Sequence, residues 1–163
     1  TPATSFLLSR MGPGPPSAAR DKADVQRGQA LATTAQHGQT DKAGRPYIGH
    51  PGRVGGYLVN PTAQETIVAW LHDVVEDTGV PLKDIEDDFG SQVRDAVDAI
   101  TCRAGEAKTV YYGRVKANPI ALTVKAADIA DNADPARLKL LEHKKRTVLE
   151  AKYAQARHEL GIE

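Results

Sequence analysis

The stretch TAQETIVAWLHDVVED, residues 62–77, carries two periodic patterns at once. Its large apolar residues recur at intervals of three and four, the spacing of one face of an α-helix. These residues are Ile67, Trp70, Leu71, Val74 and Val75. A second stripe at the same spacing holds Ala69, His72, Asp73, Glu76 and Asp77. The stretch is therefore predicted to be an amphipathic helix, and its second stripe is either an ordinary acidic outer face or half of a metal site.

The remaining sequence divides into a leader and one domain. Residues 1–20 are rich in Pro, Gly, Ser and Thr, which is typical of a flexible segment. Residues 21–163 are predicted to form a single domain, because this length is enough for one hydrophobic core.

Helix signals dominate that domain, and no convincing alternating strand pattern competes with them. Asn118–Pro119 and Asp134–Pro135 each combine a capping side chain with proline at the first helical position. Pro51 and Pro81 are predicted to open shorter helices, and residues 102–117 leave a choice between strand and helix. We therefore predict an all-α bundle of roughly six to eight helices.

Composition excludes several classes of partner. The chain has 21 Lys and Arg residues against 21 Asp and Glu residues, so bulk electrostatics do not favour binding to DNA, RNA or an anionic membrane. Aromatic residues are only 5%, too few to suggest a base-stacking sheet. No segment is long and apolar enough to span a bilayer. The single cysteine, Cys102, permits no internal disulfide, so we expect a cytoplasmic protein.

Two residues outside the opening stretch strengthen the interpretation as a metal site. His50 lies at the start of a predicted helix, and Asp128 lies within VKAADIADNAD, whose apolar flank indicates partial burial. A buried carboxylate is costly unless it is paired or bound to a cation. Together with His72 and Asp73, these residues would form a mixed nitrogen and oxygen shell, which suits Mn²⁺, Fe²⁺, Zn²⁺ or Co²⁺ better than Ca²⁺ or Mg²⁺.

Four segments in this order resemble a known family. They are HGQTDKAGRPYIGHP, WLHDVVEDTG, FGSQV and VKAADIADNAD. They are similar to the HD-domain metal-dependent phosphohydrolases, and most of all to the (p)ppGpp hydrolases, meaning the hydrolase domain of the Rel/SpoT enzymes and the small alarmone hydrolases. The similarity runs from about Gln29 to about Asn132, which is most of the predicted domain. The resemblance implies an HD-domain helical bundle.

The resemblance also implies roles for individual residues. The implied metal ligands are His50, His72, Asp73 and Asp128, with Mn²⁺ as the usual ion and Fe²⁺, Co²⁺ or Zn²⁺ as alternatives. Glu76 and Asp77 would lie next to the reacting phosphate as the catalytic pair. The implied substrate-binding residues are Lys42, Tyr47, Lys125 and Asn132. The implied reaction releases pyrophosphate from the 3′ position of the alarmone.

One departure from the family's pattern keeps other functions open. Asp41 stands where the family has an arginine that packs on guanine, and a carboxylate cannot supply that cationic contact. A phosphomonoesterase for another nucleotide, or for a phosphorylated nucleoside metabolite, is therefore the first alternative. A non-catalytic module that senses a nucleotide is the second. In each case we expect a small-molecule nucleotide ligand and a monomer or homodimer.

Overall fold

Helices account for nearly all regular structure in the computed structural model, which describes residues 18–162. Eight helices have eight or more residues, and two are single turns. In chain order they are α1 (Ala18–Ala35), α2 (Gly49–Tyr57), α3 (Ala63–Leu71), α4 (Val74–Asp77), α5 (Leu82–Phe89), α6 (Ser91–Ile100), α7 (Lys108–Ala117), α8 (Pro119–Asn132), α9 (Pro135–Leu138) and α10 (His143–Leu160). In the described range the only extended pairing is an isolated bridge between Thr40 and Pro46. The all-α prediction is confirmed.

The predicted leader, residues 1–20, shares residues 18–20 with the part of the chain that the structure describes. Residues 1–17 lie outside the described part of the chain, so most of the prediction for residues 1–20 stays a prediction. Helix α1 begins at Ala18. None of the helices between residues 18 and 162 combines the length and apolar character needed to cross a membrane.

Helices α3 and α8 form the centre of the bundle. Helix α3 packs against α1, α2, α6 and α8, and α8 also contacts α2, α6, α7 and α10. Val68 and Leu71 of α3 are fully buried, as is Val124 of α8. Helix α2 approaches α3 closely at Gly52, where an added Cβ would lie 3.3 Å from the Trp70 ring. The core thus fixes α2, α3 and α8, the helices that carry or precede the candidate metal ligands.

The predicted continuous helix over residues 62–77 is wrong at its centre. Helix α3 ends at Leu71, a turn covers His72 and Asp73, and α4 begins at Val74. The Nδ1 atom of His72 lies 2.7 Å from the carbonyl oxygen of Ala69, so this side chain occupies a carbonyl that would otherwise serve the helix ladder. The break brings two adjacent side chains together, with His72 Nε2 3.1 Å from Asp73 Oδ2.

The predicted helix starts are partly confirmed. The Asn118 side chain accepts a hydrogen bond from the Ala121 N–H at the start of α8, and Asp134 caps α9 in the same manner. Pro51 lies in the first turn of α2, as predicted, although the helix begins two residues earlier at Gly49.

Two further segments complete the comparison with the sequence. The ambiguous residues 102–117 contain a helix, α7, and no strand. The residue before α6 is Gly90, with a φ of 92°, and Ser91 is the first helical residue without a side-chain capping bond. The positive φ at position 90 favours glycine there, although serine is a common capping residue.

Candidate metal centre and substrate pocket

Three buried side chains from separate parts of the bundle converge on one point. His50 comes from the first turn of α2, His72 from the break after α3, and Asp128 from the buried face of α8. Their potential ligand atoms all lie within 4.8 Å of one another. Asp128 Oδ1 is 2.9 Å from His50 Nε2 and 3.4 Å from His72 Nε2. This arrangement suits a single divalent ion held by imidazole and carboxylate donors.

Asp73, the fourth predicted ligand, lies beside this cluster. Its Oδ2 atom is 3.1 Å from His72 Nε2 and 3.9 Å from His50 Nε2. The same oxygen accepts a hydrogen bond from the Tyr47 hydroxyl. Tyr47 was expected to contact substrate, and the structure adds a bond that orients one of the carboxylates. Burial and the charge of Asp73 raise the pKa of Tyr47, so this hydroxyl stays a donor.

The outer nitrogens of the two imidazoles identify their tautomers. His72 Nδ1 faces the carbonyl oxygen of Ala69, and His50 Nδ1 lies 2.6 Å from Asp131 Oδ2. A carbonyl and an ionised carboxylate can only accept, so both Nδ1 atoms must carry the proton. In the neutral rings the Nε2 lone pairs then point towards the oxygens of Asp73 and Asp128.

Either a proton or a metal ion between the nitrogens and the oxygens resolves this opposition of lone pairs and carboxylates. Among the described residues, His72 Nε2 is buried without a hydrogen-bond partner, although Asp73 Oδ2 is close by. An unsatisfied buried polar atom costs free energy comparable to a lost hydrogen bond. A divalent ion between the nitrogens and the oxygens removes that cost, so the residues present fit a metal.

The local field has the sign that such an ion needs. Burial lowers the pKa of His72, but the charges and hydrogen bonds of Asp73 and Asp128 raise it well above its usual value. Burial raises the pKa of Asp128, and this is outweighed by the positive charge of Lys125 and by the two neighbouring imidazoles, which favour the ionised carboxylate when they are protonated. The cluster therefore attracts positive charge strongly.

Two predicted substrate-binding residues contact Asp128 directly. Lys125 Nζ lies 2.8 Å from Asp128 Oδ2, and Asn132 Nδ2 donates to Asp128 Oδ1 over 2.9 Å. The three side chains occupy successive turns of α8. Both residues also line the cavity, so they can hold Asp128 and face a substrate at the same time.

The predicted catalytic pair lies at the edge of the same cavity. Glu76 and Asp77 belong to the single turn α4, immediately after the break, and both are partly exposed to solvent and partly enclosed by the cavity wall. Burial raises the pKa of Glu76, and the negative charges of Asp73 and Asp77 raise it further. Burial and the charge of Asp73 likewise raise the pKa of Asp77.

The cavity has a volume of about 380 Å³ and a lining of two chemical kinds. One part of the lining is polar and consists of His50, Asp73, Asp128 and the acidic pair. The other is built from the hydrophobic side chains of α9, α10 and the segment between them, with Lys42 and Lys152 also in the lining. Its apolar surface comes from Leu138, Leu141, Leu149 and Tyr153. A cavity of this size and lining suits a drug-sized or nucleotide-sized ligand.

Asp41 is occupied by structural bonds. Its Oδ1 atom accepts the backbone N–H groups of Ala43 and Arg45, each at 2.9 Å. Its Oδ2 atom lies 3.2 Å from Arg137 Nη2. Burial opposes this arrangement, but these bonds and the Arg137 charge hold the pKa of Asp41 below its usual value. Asp41 therefore braces the loop that carries Lys42.

Sequence reasoning missed three residues of the site. Asp131 is fully buried and bonds to His50, while Arg137 and Lys152 line the cavity. Asp131 gave a usable signal, because it lies one helical turn after Asp128 in the same apolar segment. Arg137 and Lys152 gave none, since basic residues are common on helix surfaces.

Comparisons with known proteins agree with the fold and with the motifs. The GTP pyrophosphokinase of Streptomyces coelicolor is 33% identical over 152 residues, covering 85% of this chain and 18% of that protein. The bifunctional (p)ppGpp synthase/hydrolase SpoT of Escherichia coli is 37% identical over 79 residues, covering 47% of this chain and 11% of that protein. This chain thus spans less than a fifth of either relative. No protein-family model matches it.

A solved structure resembles almost the whole chain. It is described as a metazoan ortholog of SpoT that hydrolyzes ppGpp, and it matches with a TM-score of 0.66 at 22% identity. The match covers 92% of this chain and 99% of the other. This likeness establishes a shared helical fold.

Proposed function

Since the motifs, the fold and the relatives agree in a likeness to the HD-domain (p)ppGpp hydrolases, we propose that this chain is a divalent-metal-dependent phosphohydrolase. Its substrate would be a nucleotide, and its reaction the release of pyrophosphate from the 3′ position of (p)ppGpp. The observation that carries this proposal is the meeting of His50, His72, Asp73 and Asp128 beside a cavity, which all of them except His72 line. The acidic pair of α4 lines the same cavity.

These four side chains would hold one divalent ion, with Mn²⁺ the first choice and Fe²⁺, Co²⁺ or Zn²⁺ the alternatives. When bound, the ion supplies a nucleophilic water at neutral pH and polarises a phosphoryl oxygen. Glu76 would orient the attacking water and accept its proton. Asp77 would protonate the leaving oxygen, and the direction of its pKa, raised by burial and by Asp73, supports this role.

The lysines in the cavity lining favour a substrate with two separate anionic groups. Lys125 is paired with Asp128, whereas Lys42 and Lys152 form no ion pair with any carboxylate in residues 18–162. Burial and the positive charges of Lys42 and two further lysines lower the pKa of Lys152, and Asp128 offsets only part of this effect. Like charges that converge on a cavity are stabilised by an anionic ligand. A nucleotide with phosphates on both its 3′ and 5′ positions supplies this second anion.

A phosphomonoesterase activity is the second candidate, and Asp41 favours it. This carboxylate is held by Ala43, Arg45 and Arg137, so position 41 offers no cation to a guanine base. A pocket without that contact accepts a wider range of bases. A purely sensing module is a weaker candidate, because it has no use for the acidic pair beside the ligands.

One substrate panel separates these functions. The purified protein is incubated with Mn²⁺ and, in parallel, with ppGpp, pppGpp, 2′-, 3′- and 5′-mononucleotides and NADPH. Pyrophosphate released from ppGpp supports the proposed reaction, and orthophosphate released from a mononucleotide supports the phosphomonoesterase. If the protein binds metal but turns over none of these substrates, the sensing module is the remaining candidate function. The ligand is in each case a small nucleotide, and we further propose a cytoplasmic monomer or homodimer without DNA, RNA or membrane partners.

A further inference from the structure

Asp131 is the most buried carboxylate near the metal centre, and it lies outside the predicted ligand set. Its side chain is 1% exposed. It faces away from the cluster, on the far side of the His50 ring. A charge buried this deeply is costly unless its partners satisfy it fully.

Three donors satisfy this carboxylate. Asp131 Oδ2 lies 2.6 Å from His50 Nδ1 and 2.5 Å from Arg137 Nη1, and Oδ1 accepts from Arg53 Nε at 2.8 Å. The two arginines come from α2 and α9, so both oxygens are fixed from opposite sides. The two guanidinium groups keep Asp131 ionised as an acceptor, because both donate to it.

We propose that Asp131 is a positioning residue for the metal centre, one that sets the tautomer and the orientation of His50. Because Asp131 accepts the Nδ1 proton, the lone pair of His50 stays on Nε2, where it points at Asp128. A carboxylate behind a ligating imidazole also makes that ligand more basic. This inference rests on the metal centre of the proposed function.

Arg137 extends the same network to the pocket wall. Its Nη1 atom bonds to Asp131 and its Nη2 atom lies near Asp41, so one guanidinium joins the metal end to the loop of Lys42. Asp41 shares this arginine but does not touch His50. A substitution at Asp41 therefore perturbs the same network but leaves the bond between Asp131 and His50 in place.

The test is metal affinity, measured on wild type and three variants after chelation and dialysis. Mn²⁺ is titrated by calorimetry, and the thermal unfolding midpoint is recorded for each metal-free protein. Asp131→Asn keeps the shape but loses the charge, and we expect the Kd for Mn²⁺ to rise about 10–100-fold. Arg53→Gln removes one of the two guanidinium groups that hold the Asp131 carboxylate, and it should raise the Kd less than Asp131→Asn does. Position 53 is partly exposed, so this substitution is easier to accommodate. Asp41→Asn is the matched control and should leave the Kd unchanged.

The outcomes separate the inference from the proposed function. If wild type binds Mn²⁺ and both Asp131→Asn and Arg53→Gln bind it equally well, Asp131 has only a structural role and the inference is wrong. A variant whose unfolding midpoint falls while its Kd for Mn²⁺ stays unchanged would show this purely structural role. If Asp131→Asn does not fold, the Kd values of Arg53→Gln and Asp41→Asn are compared instead. A Kd that is higher in Arg53→Gln supports the inference, and equal Kd values contradict it. If wild type itself binds no metal, the proposed metal centre is wrong, and this inference fails with it.

Discussion

Replacement of Glu76 by glutamine separates chemistry from metal binding. Glu76 lies four residues after His72, in α4, and is not one of the three buried donors. Glutamine fills the same space but cannot accept the proton of an attacking water. A positioned general base contributes about 10²–10⁴-fold to a rate, so kcat should fall by that factor. At about 1.36 kcal/mol for each tenfold change, the barrier rises by roughly 2.7–5.5 kcal/mol.

Two measurements on the same samples check this prediction. Pyrophosphate release from ppGpp gives kcat, and elemental analysis gives bound metal per chain. Glu76→Gln should keep the metal content of wild type, whereas Asp73→Ala should lose both metal and turnover. Glu86→Gln, on the exposed side of α5, is the control and should behave as wild type. A Glu76→Gln protein that turns over at the wild-type rate would refute the role given to this carboxylate.

Three other perturbations probe the pocket, the ion and the scaffold. Lys152→Gln should raise KM for ppGpp about tenfold, which corresponds to about 1.4 kcal/mol. It should not raise KM for guanosine 3′-diphosphate, which lacks the 5′ phosphates, and the control Lys83→Gln should change neither KM. An equal effect of Lys152→Gln on both substrates would contradict a second anion subsite. Mn²⁺ at about 100 times its Kd should add about 2.7 kcal/mol to the free energy of unfolding, and a chelator should remove it; identical urea midpoints with and without Mn²⁺ would argue against specific binding to the folded protein. Asn118→Ala removes the cap of α8 and should cost about 1 kcal/mol in denaturant unfolding, and an unchanged midpoint would mean that the capping bond contributes nothing.

The sequence was sufficient for the elements whose signals are local. The apolar stripe through Ile67 and Leu71 predicted α3, because helix periodicity is a direct consequence of burying one face. The caps at Asn118 and Asp134 were readable for the same reason, since a side chain and a proline within a few residues determine the start. Their partners in the fold did not need to be known.

The break at His72 was not readable, because it depends on a contact that periodicity does not encode. A continuous helix and a broken one give the same apolar stripe over residues 62–77. The bond between the His72 ring and the Ala69 carbonyl ends α3 and turns Asp73 towards His72. The break thus interrupts the helix hydrogen bonds and brings the side chains of His72 and Asp73 together.

The part of the site that remained hidden consists of long-range pairs. Asp131 and His50 are 81 positions apart, and Arg137 and Asp41 are 96 apart. Each pair joins residue types that are usually exposed and separately unremarkable. Only the packing of α2 against α8, and of α9 near the loop of residues 40–46, brings them into contact.

The most direct test of the whole account is a crystal structure of the protein soaked with Mn²⁺, with anomalous scattering recorded to locate the ion. We predict a single strong peak at coordination distance from His50 Nε2, His72 Nε2, Asp73 and Asp128. A peak at any other position, or no peak among these four side chains, would contradict the metal centre on which the proposed hydrolysis depends.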